Sequence, residues 1–93
     1  MMQYPQININ GTDPQRLFDE YLGAATAVAK ALDAMKSLTV HGRDYQTLAN
    51  SNAASDAYRE HRERVRQLDV MHQDLLDIAQ EIARQKQERM KGG

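Results

Sequence analysis

The sequence predicts an all-α fold: a long antiparallel helical hairpin with a short extended N-terminal segment, assembling into a helical-bundle oligomer. Three observations lead there. Apolar residues recur at steps of three and four along two long stretches. The composition is rich in Ala, Gln, Arg, Glu and Asp but holds a single Phe and no Trp, which describes helices around a thin core. A chain of 93 residues also buries only a modest share of its surface when it folds alone, so its core is expected to be shared with a second copy. The whole chain, 1–93, reads as one domain with an extended segment at 4–11, a helix at 14–37, a loop at 38–52 and a helix at 53–90.

In chain order, Gln6 to Asn10 alternate polar and apolar, which puts Ile7 and Ile9 on one side of an extended stretch. No second strand is available to it. The segment is expected either to lie across the helices with both isoleucines as anchors or to pair with the same segment of a neighbouring copy, and Asn10-Gly11 ends it as a turn. Asp13 is the expected N-cap of the first helix, with Thr12 as the alternative, and Pro14 suits the first helical position because no amide donor is needed there. Leu17, Tyr21, Ala24, Val28, Leu32 and Met35 then repeat at helical spacing to Ser37, a helix of roughly 36 Å.

That stripe is broadened by Phe18, Leu22, Ala25 and Ala29 on one flank and by the small residues Gly23, Ala27 and Ala31 on the other. So wide an apolar arc requires cover on two sides. One cover is the second helix of the same chain; the other is expected to be a symmetry-related copy, with Gly23, Ala27 and Ala31 as a close-contact face. The alternative is that alanine is present only as a good helix former.

The second helix carries Tyr58, His61, Val65, Leu68, His72, Leu75, Ala79 and Ile82 in alternating steps of three and four, a heptad seam widened by Met71 and Ile78. Asn52 or Ser55 is the expected cap, and Gly92 is where the chain can leave the helix. At roughly 54 Å it outruns the first helix, so Arg84 to Arg89 project past it or meet the N-terminal segment. Leu68, His72 and Leu75 join Ile7, Ile9, Gly23, Ala27 and Ala31 as expected oligomer-interface residues.

A net charge of -1 argues against general DNA or RNA binding, which needs excess cations to neutralise phosphates, but leaves room for a local anion site. Without cysteine there is no disulfide framework and no thiolate metal site, as fits a reducing compartment. No leader pattern and no membrane-length apolar run is present, so a cytoplasmic location away from membranes is expected. His61 and His72 stand three turns apart on the seam; they are read as hydrogen-bonded core residues that fix register, the alternative being a metal site or a pH-sensitive contact between copies. No cofactor and no resident metal is expected, and no nucleophile-with-base pattern or phosphate-binding glycine loop points to an enzyme.

Chemistry concentrates in Val40-His41-Gly42-Arg43-Asp44-Tyr45-Gln46. A hairpin connection normally needs only two to eight residues, roughly, and longer ones are commonly functional. Gly42 offers unusual backbone freedom, Arg43 a planar fork for phosphate or carboxylate, Tyr45 a stacking ring, and Asp44 a partner for Arg43 or for a ribose hydroxyl. Residues 47–55 are small and polar and read as mobile. Arg59, Arg62 and Arg66 start a basic stripe just beyond the loop, at a helix N-terminus that itself favours anions. From His41 to Arg66 five Arg face Asp44, Asp56, Glu60 and Glu63, a local excess of one cation. The candidate ligand-binding residues are therefore His41, Arg43, Asp44, Tyr45, Arg59, Arg62 and Arg66. In the plainer alternative, Val40 and Tyr45 plug the open end of the hairpin, Asp44 caps a turn and Arg43 stands in water.

Asn10-Gly11-Thr12-Asp13, then His41-Gly42-Arg43-Asp44-Tyr45, then the Arg-rich second helix resemble small uncharacterised phage and prophage proteins. In size and plan the chain is also similar to the phage anti-CBASS sponges, which oligomerise and sequester cyclic-nucleotide signals of bacterial immunity. The resemblance implies a phage-encoded, non-catalytic protein of the host cytoplasm that sequesters a phosphate-bearing small molecule. On the reading of the loop and helix start above, Arg43 with one or more of Arg59, Arg62 and Arg66 would pair with phosphate while Tyr45 stacks on a base. None of that family's ligand-binding residues maps onto this sequence. The other reading is a protein-interaction or assembly factor, such as a phage structural accessory or an inhibitor of a host protein.

Overall fold

The computed structural model of the chain describes residues 2–46, 49 and 52–92. Helix α1 spans Pro14–Ser37 and helix α2 spans Ala53–Gly92, joined by a connection that contains a 3-10 turn at Gly42–Tyr45. The expected mobile stretch 47–55 lies partly outside the described residues; from Asn52 onward it belongs to α2 and its cap. The helices pack antiparallel as a hairpin, with Gln15 near the start of α1 accepting a hydrogen bond from Lys86 near the end of α2. The product is a rod of 67 × 24 × 19 Å with a radius of gyration of 19.8 Å, against about 12 Å for a compact chain of this length.

The helix ends follow local chemistry. Asp13 caps α1 as expected, its carboxylate accepting from the Arg16 amide at 3.1 Å and its carbonyl from the Leu17 amide at 2.9 Å, with Pro14 in the first turn. At the other end Leu38 turns extended, and its amide donates to the Met35 carbonyl at 3.3 Å. The Asn52 carbonyl accepts from the Asp56 amide at 2.9 Å, so Asn52, rather than Ser55, stands at the cap of α2.

The buried core is small: Ala25 and Leu32 from α1, Ile78, Ala79 and Ile82 from α2. On α1 the covered positions are Leu17, Phe18, Tyr21, Ala25, Val28, Ala29, Leu32 and Met35, so the seam runs through Ala25 while Ala24 is exposed. Two heptad lines, Phe18–Ala25–Leu32 and Tyr21–Val28–Met35, keep facing the partner helix along the whole hairpin; a line through Ala24 would turn Phe18 away. On α2 the expected seam holds from His61 to Ile82 apart from Tyr58, which is 49% exposed. Tyr58 lies where α1 has nearly ended, and Ala53, Ala54 and Ala57 face the connection instead. Met71, expected to widen the seam, is 50% exposed, whereas Ile78 is buried.

The N-terminal segment is attached to the second half of α2, where Ile78 lies. The Gln85 side chain holds it, its amide oxygen accepting from the Ile7 amide at 2.8 Å and its amide nitrogen donating to the Pro5 carbonyl at 2.9 Å. A helix side chain thereby supplies the bonds that a neighbouring strand would. Pro5 and Ile7 are half-buried there, but Ile9 is not a second anchor, being 91% exposed. The alternation is broken at Asn8, whose side chain accepts from the Asn10 amide at 3.0 Å and whose carbonyl accepts from the Gly11 amide at 3.1 Å. This asparagine turn lifts Ile9 off the surface.

Ile82 has no exposed surface and is covered from two directions. Truncating it to alanine should cost about 3 kcal/mol, read as a lower urea midpoint. Leu68→Ala, at a half-buried position, should cost less.

Candidate functional site

The 3-10 turn is held by the Asp44 amide donating to the His41 carbonyl at 3.1 Å. His41, Arg43 and Asp44 are exposed, and Tyr45 is half-buried. Tyr45 and Val40 line an open cleft of about 600 Å³ with Met35, Leu38, Ala57, His61 and Arg64. The aromatic ring thus forms one wall of this cleft at the loop end of the hairpin. Gly42 is not used for backbone freedom, since no described residue has positive φ; a β-carbon there would sit 4.0 Å from that of Ala54, an ordinary contact.

The turn and the arginine stripe do not converge within one chain. At about 100° per residue, Arg59, Arg62 and Arg66 lie roughly 140° to 200° round α2 from Ala57, which lines the Tyr45 cleft. Their charges are largely occupied: Arg59 pairs with Asp56 at 2.6 Å, and Arg66 grips both carboxylate oxygens of Glu63 at 2.9 and 2.6 Å. Arg66 accordingly holds the Glu63 carboxyl below its ordinary range, and Glu63 raises the guanidinium in return. Arg62 makes no ion pair among the described residues and borders a second groove with Lys36, His61 and Val65. Arg64, also without an ion pair there, is the cation that faces Tyr45. The regular three- and four-residue steps of Arg59, Arg62 and Arg66 drew attention away from it, although Arg64 stands three residues after the seam position His61.

Among the expected interface residues, Leu68, His72 and Leu75 are half-buried in the seam between α1 and α2, and Ile7 sits under the Gln85 clasp. Gly23, Ala27 and Ala31 are exposed with Ala24, Thr26 and Leu22, the last 40% exposed. Gly23, Ala27, Lys30 and Ala34 lie roughly 140° to 200° round α1 from the buried Ala25, on the face turned away from α2. Nothing comes within 4 Å of a β-carbon built on Gly23. Among the described residues no group of three or more His, Asp or Glu is placed to hold a metal ion, and no helix is long and apolar enough to cross a membrane.

At the opposite end of the rod, Glu81 orients the clasp. Arg84 grips its two oxygens, both at 2.8 Å, and Gln85 donates to it at 2.8 Å. The arginine bonds first, then the Gln85 bond, lower its carboxyl to about 2, while Arg84 is pushed up by the same contact and by Glu88. Glu81 therefore contributes to docking of the segment fully above about pH 4.5, and that contribution is lost as pH falls toward 2. The Ile7 amide should exchange faster with solvent across this acid window, and Glu81→Gln should remove the pH-dependent part; equal acid sensitivity in that variant would rule out Glu81 as the switch.

Set against known protein families, curated proteins and solved structures, the chain matches none of them at a significant level. What the fold and the surface define is a class: an all-helical hairpin rod with one thin core and one helix face left apolar.

Proposed function

We propose that this chain is a non-catalytic helical interaction protein, which works by laying the outward face of α1 against another polypeptide. The observation that carries the reading is the run Tyr21 to Ala29, which contains no charged residue and of which only Ala25 is buried. A helix that is apolar most of the way round belongs in an interior, and an exposed apolar band on a small protein marks an interaction surface. The rest of the rod surface, by contrast, is laced with ion pairs between neighbours on one helix, the pattern of a solvated face.

A charge placed in the band tests this. Ala27→Glu, at an exposed position, should change the unfolding free energy of the single chain by less than about 0.5 kcal/mol yet abolish association, whether read as self-association by light scattering or as affinity capture of another protein. If the wild-type protein neither self-associates nor retains a protein that the variant loses, the reading falls.

A second reading is sequestration of a phosphate-bearing small molecule, such as the nucleotide immune signals captured by the phage sponges that the chain resembles. It draws on a separate observation: Lys36, Arg43, Arg62 and Arg64, all at the loop end of the rod, make no ion pair among the described residues. Calorimetry against cyclic di- and trinucleotides and cyclic ADP-ribose variants decides it. Binding that Arg62→Ala and Arg64→Ala weaken at least tenfold supports this reading, and silence across the panel at micromolar protein discards it.

A further inference from the structure

We infer that the polypeptide docked on α1 is a second copy of this chain, lying antiparallel about a two-fold axis near Ala24 and Ala25. This rests on the interaction reading above and names its partner. The two α1 helices meet along Leu22, Gly23, Thr26 and Ala27, each packed between its own α2 and the other α1.

The charge pattern of α1 sets the orientation. Asp19 and Glu20 precede the uncharged run and Lys30 follows it. Reflected about the point between Ala24 and Ala25, Asp19 falls opposite Lys30, with Glu20 one position away. A parallel pair would set Asp19 against Asp19 and Lys30 against Lys30. Exposed ion pairs add little affinity, but like charges brought face to face discriminate between orientations. Asp19 and Lys30 lie roughly 20° apart round the helix, on the same face as Gly23. Lys30 makes no ion pair among the described residues, so it is available to a partner.

Three further observations concern the face itself. The chain exposes 7090 Å², whereas a compact monomer of its mass exposes about 5,500 Å². The excess of about 1,600 Å² is twice the roughly 800 Å² that each partner contributes to a standard interface. Gly23 in mid-helix costs about 1 kcal/mol relative to alanine, and no described atom of its own chain uses the space it leaves, which suits close approach of a second helix. The Thr26 hydroxyl already donates to the Leu22 carbonyl at 3.0 Å, so covering that residue strands no donor.

The chain has no cysteine, so a single introduced thiol reports the geometry. In the antiparallel pair the two copies of position 23 stand about 4.5 Å apart along the axis, within reach of a disulfide, while those of position 19 stand about 16 Å apart. Light scattering should give about twice the 10.6 kDa chain mass. Gly23→Cys should oxidise to a covalent dimer and Asp19→Cys should not, with Thr26→Cys as the equivalent of Gly23→Cys if that variant loses its helical circular dichroism. Asp19→Lys should weaken the dimer about fivefold, and adding Lys30→Glu should restore it. Cross-linking at both positions 19 and 23 would mean a parallel pair and overturn the inference. A monomer at every concentration would also overturn it; if capture of another protein still depended on Ala27, the interaction reading would survive, and if nothing did, both would fail.

Discussion

A rod built from two helices gives each apolar side chain one partner helix and no more, and this shortage of cover governs the whole structure. Where α2 meets only α1, its seam residues Val65, Leu68, His72 and Leu75 stay half-buried. On α2, among the described residues, burial is reached only at Ile78, Ala79 and Ile82, in the half of the helix to which the N-terminal segment is attached. The Gln85 side chain fastens the backbone of that segment to the helix.

The same shortage explains the shape of the α1 surface. Its inward heptad lines are satisfied by α2, but no described residue covers the outward surface, where Leu22, Gly23, Thr26 and Ala27 stand open. The polar end of the rod behaves differently. Its cations divide into those quenched by a neighbour one turn away, as Arg59 and Arg66 are, and those such as Arg62 and Arg64 that border open grooves. Specific function on such a surface comes from the residues whose local partners are missing, because a paired surface ion gains little from a new contact.

Much of the fold was legible because it rests on local rules. The bounds of α1, the Asp13 cap with Pro14, the start of α2 after Asn52 and the antiparallel hairpin follow from period, capping chemistry and helix length, which act within a few residues. The candidate site was less legible. His41 to Tyr45 was recognisable as a distinct loop, but its relation to the arginines depends on azimuth. One residue shifts a helix face by about 100°, so spacing near the start of α2 does not reveal that Arg64 faces Tyr45 while Arg59, Arg62 and Arg66 turn away.

By itself, then, the sequence determined the two helices, their caps, their antiparallel pairing and an apolar arc on α1 too broad for one partner, since each is written in periodicity and end chemistry. Only the tertiary structure decided that the seam passes through Ala25 rather than Ala24, that Ile7 is anchored and Ile9 is not, and that Gly42 is not used for backbone freedom. These turn on which surface lies opposite which across the rod, and that is a property of packed helices with no counterpart in the spacing of residues along one chain.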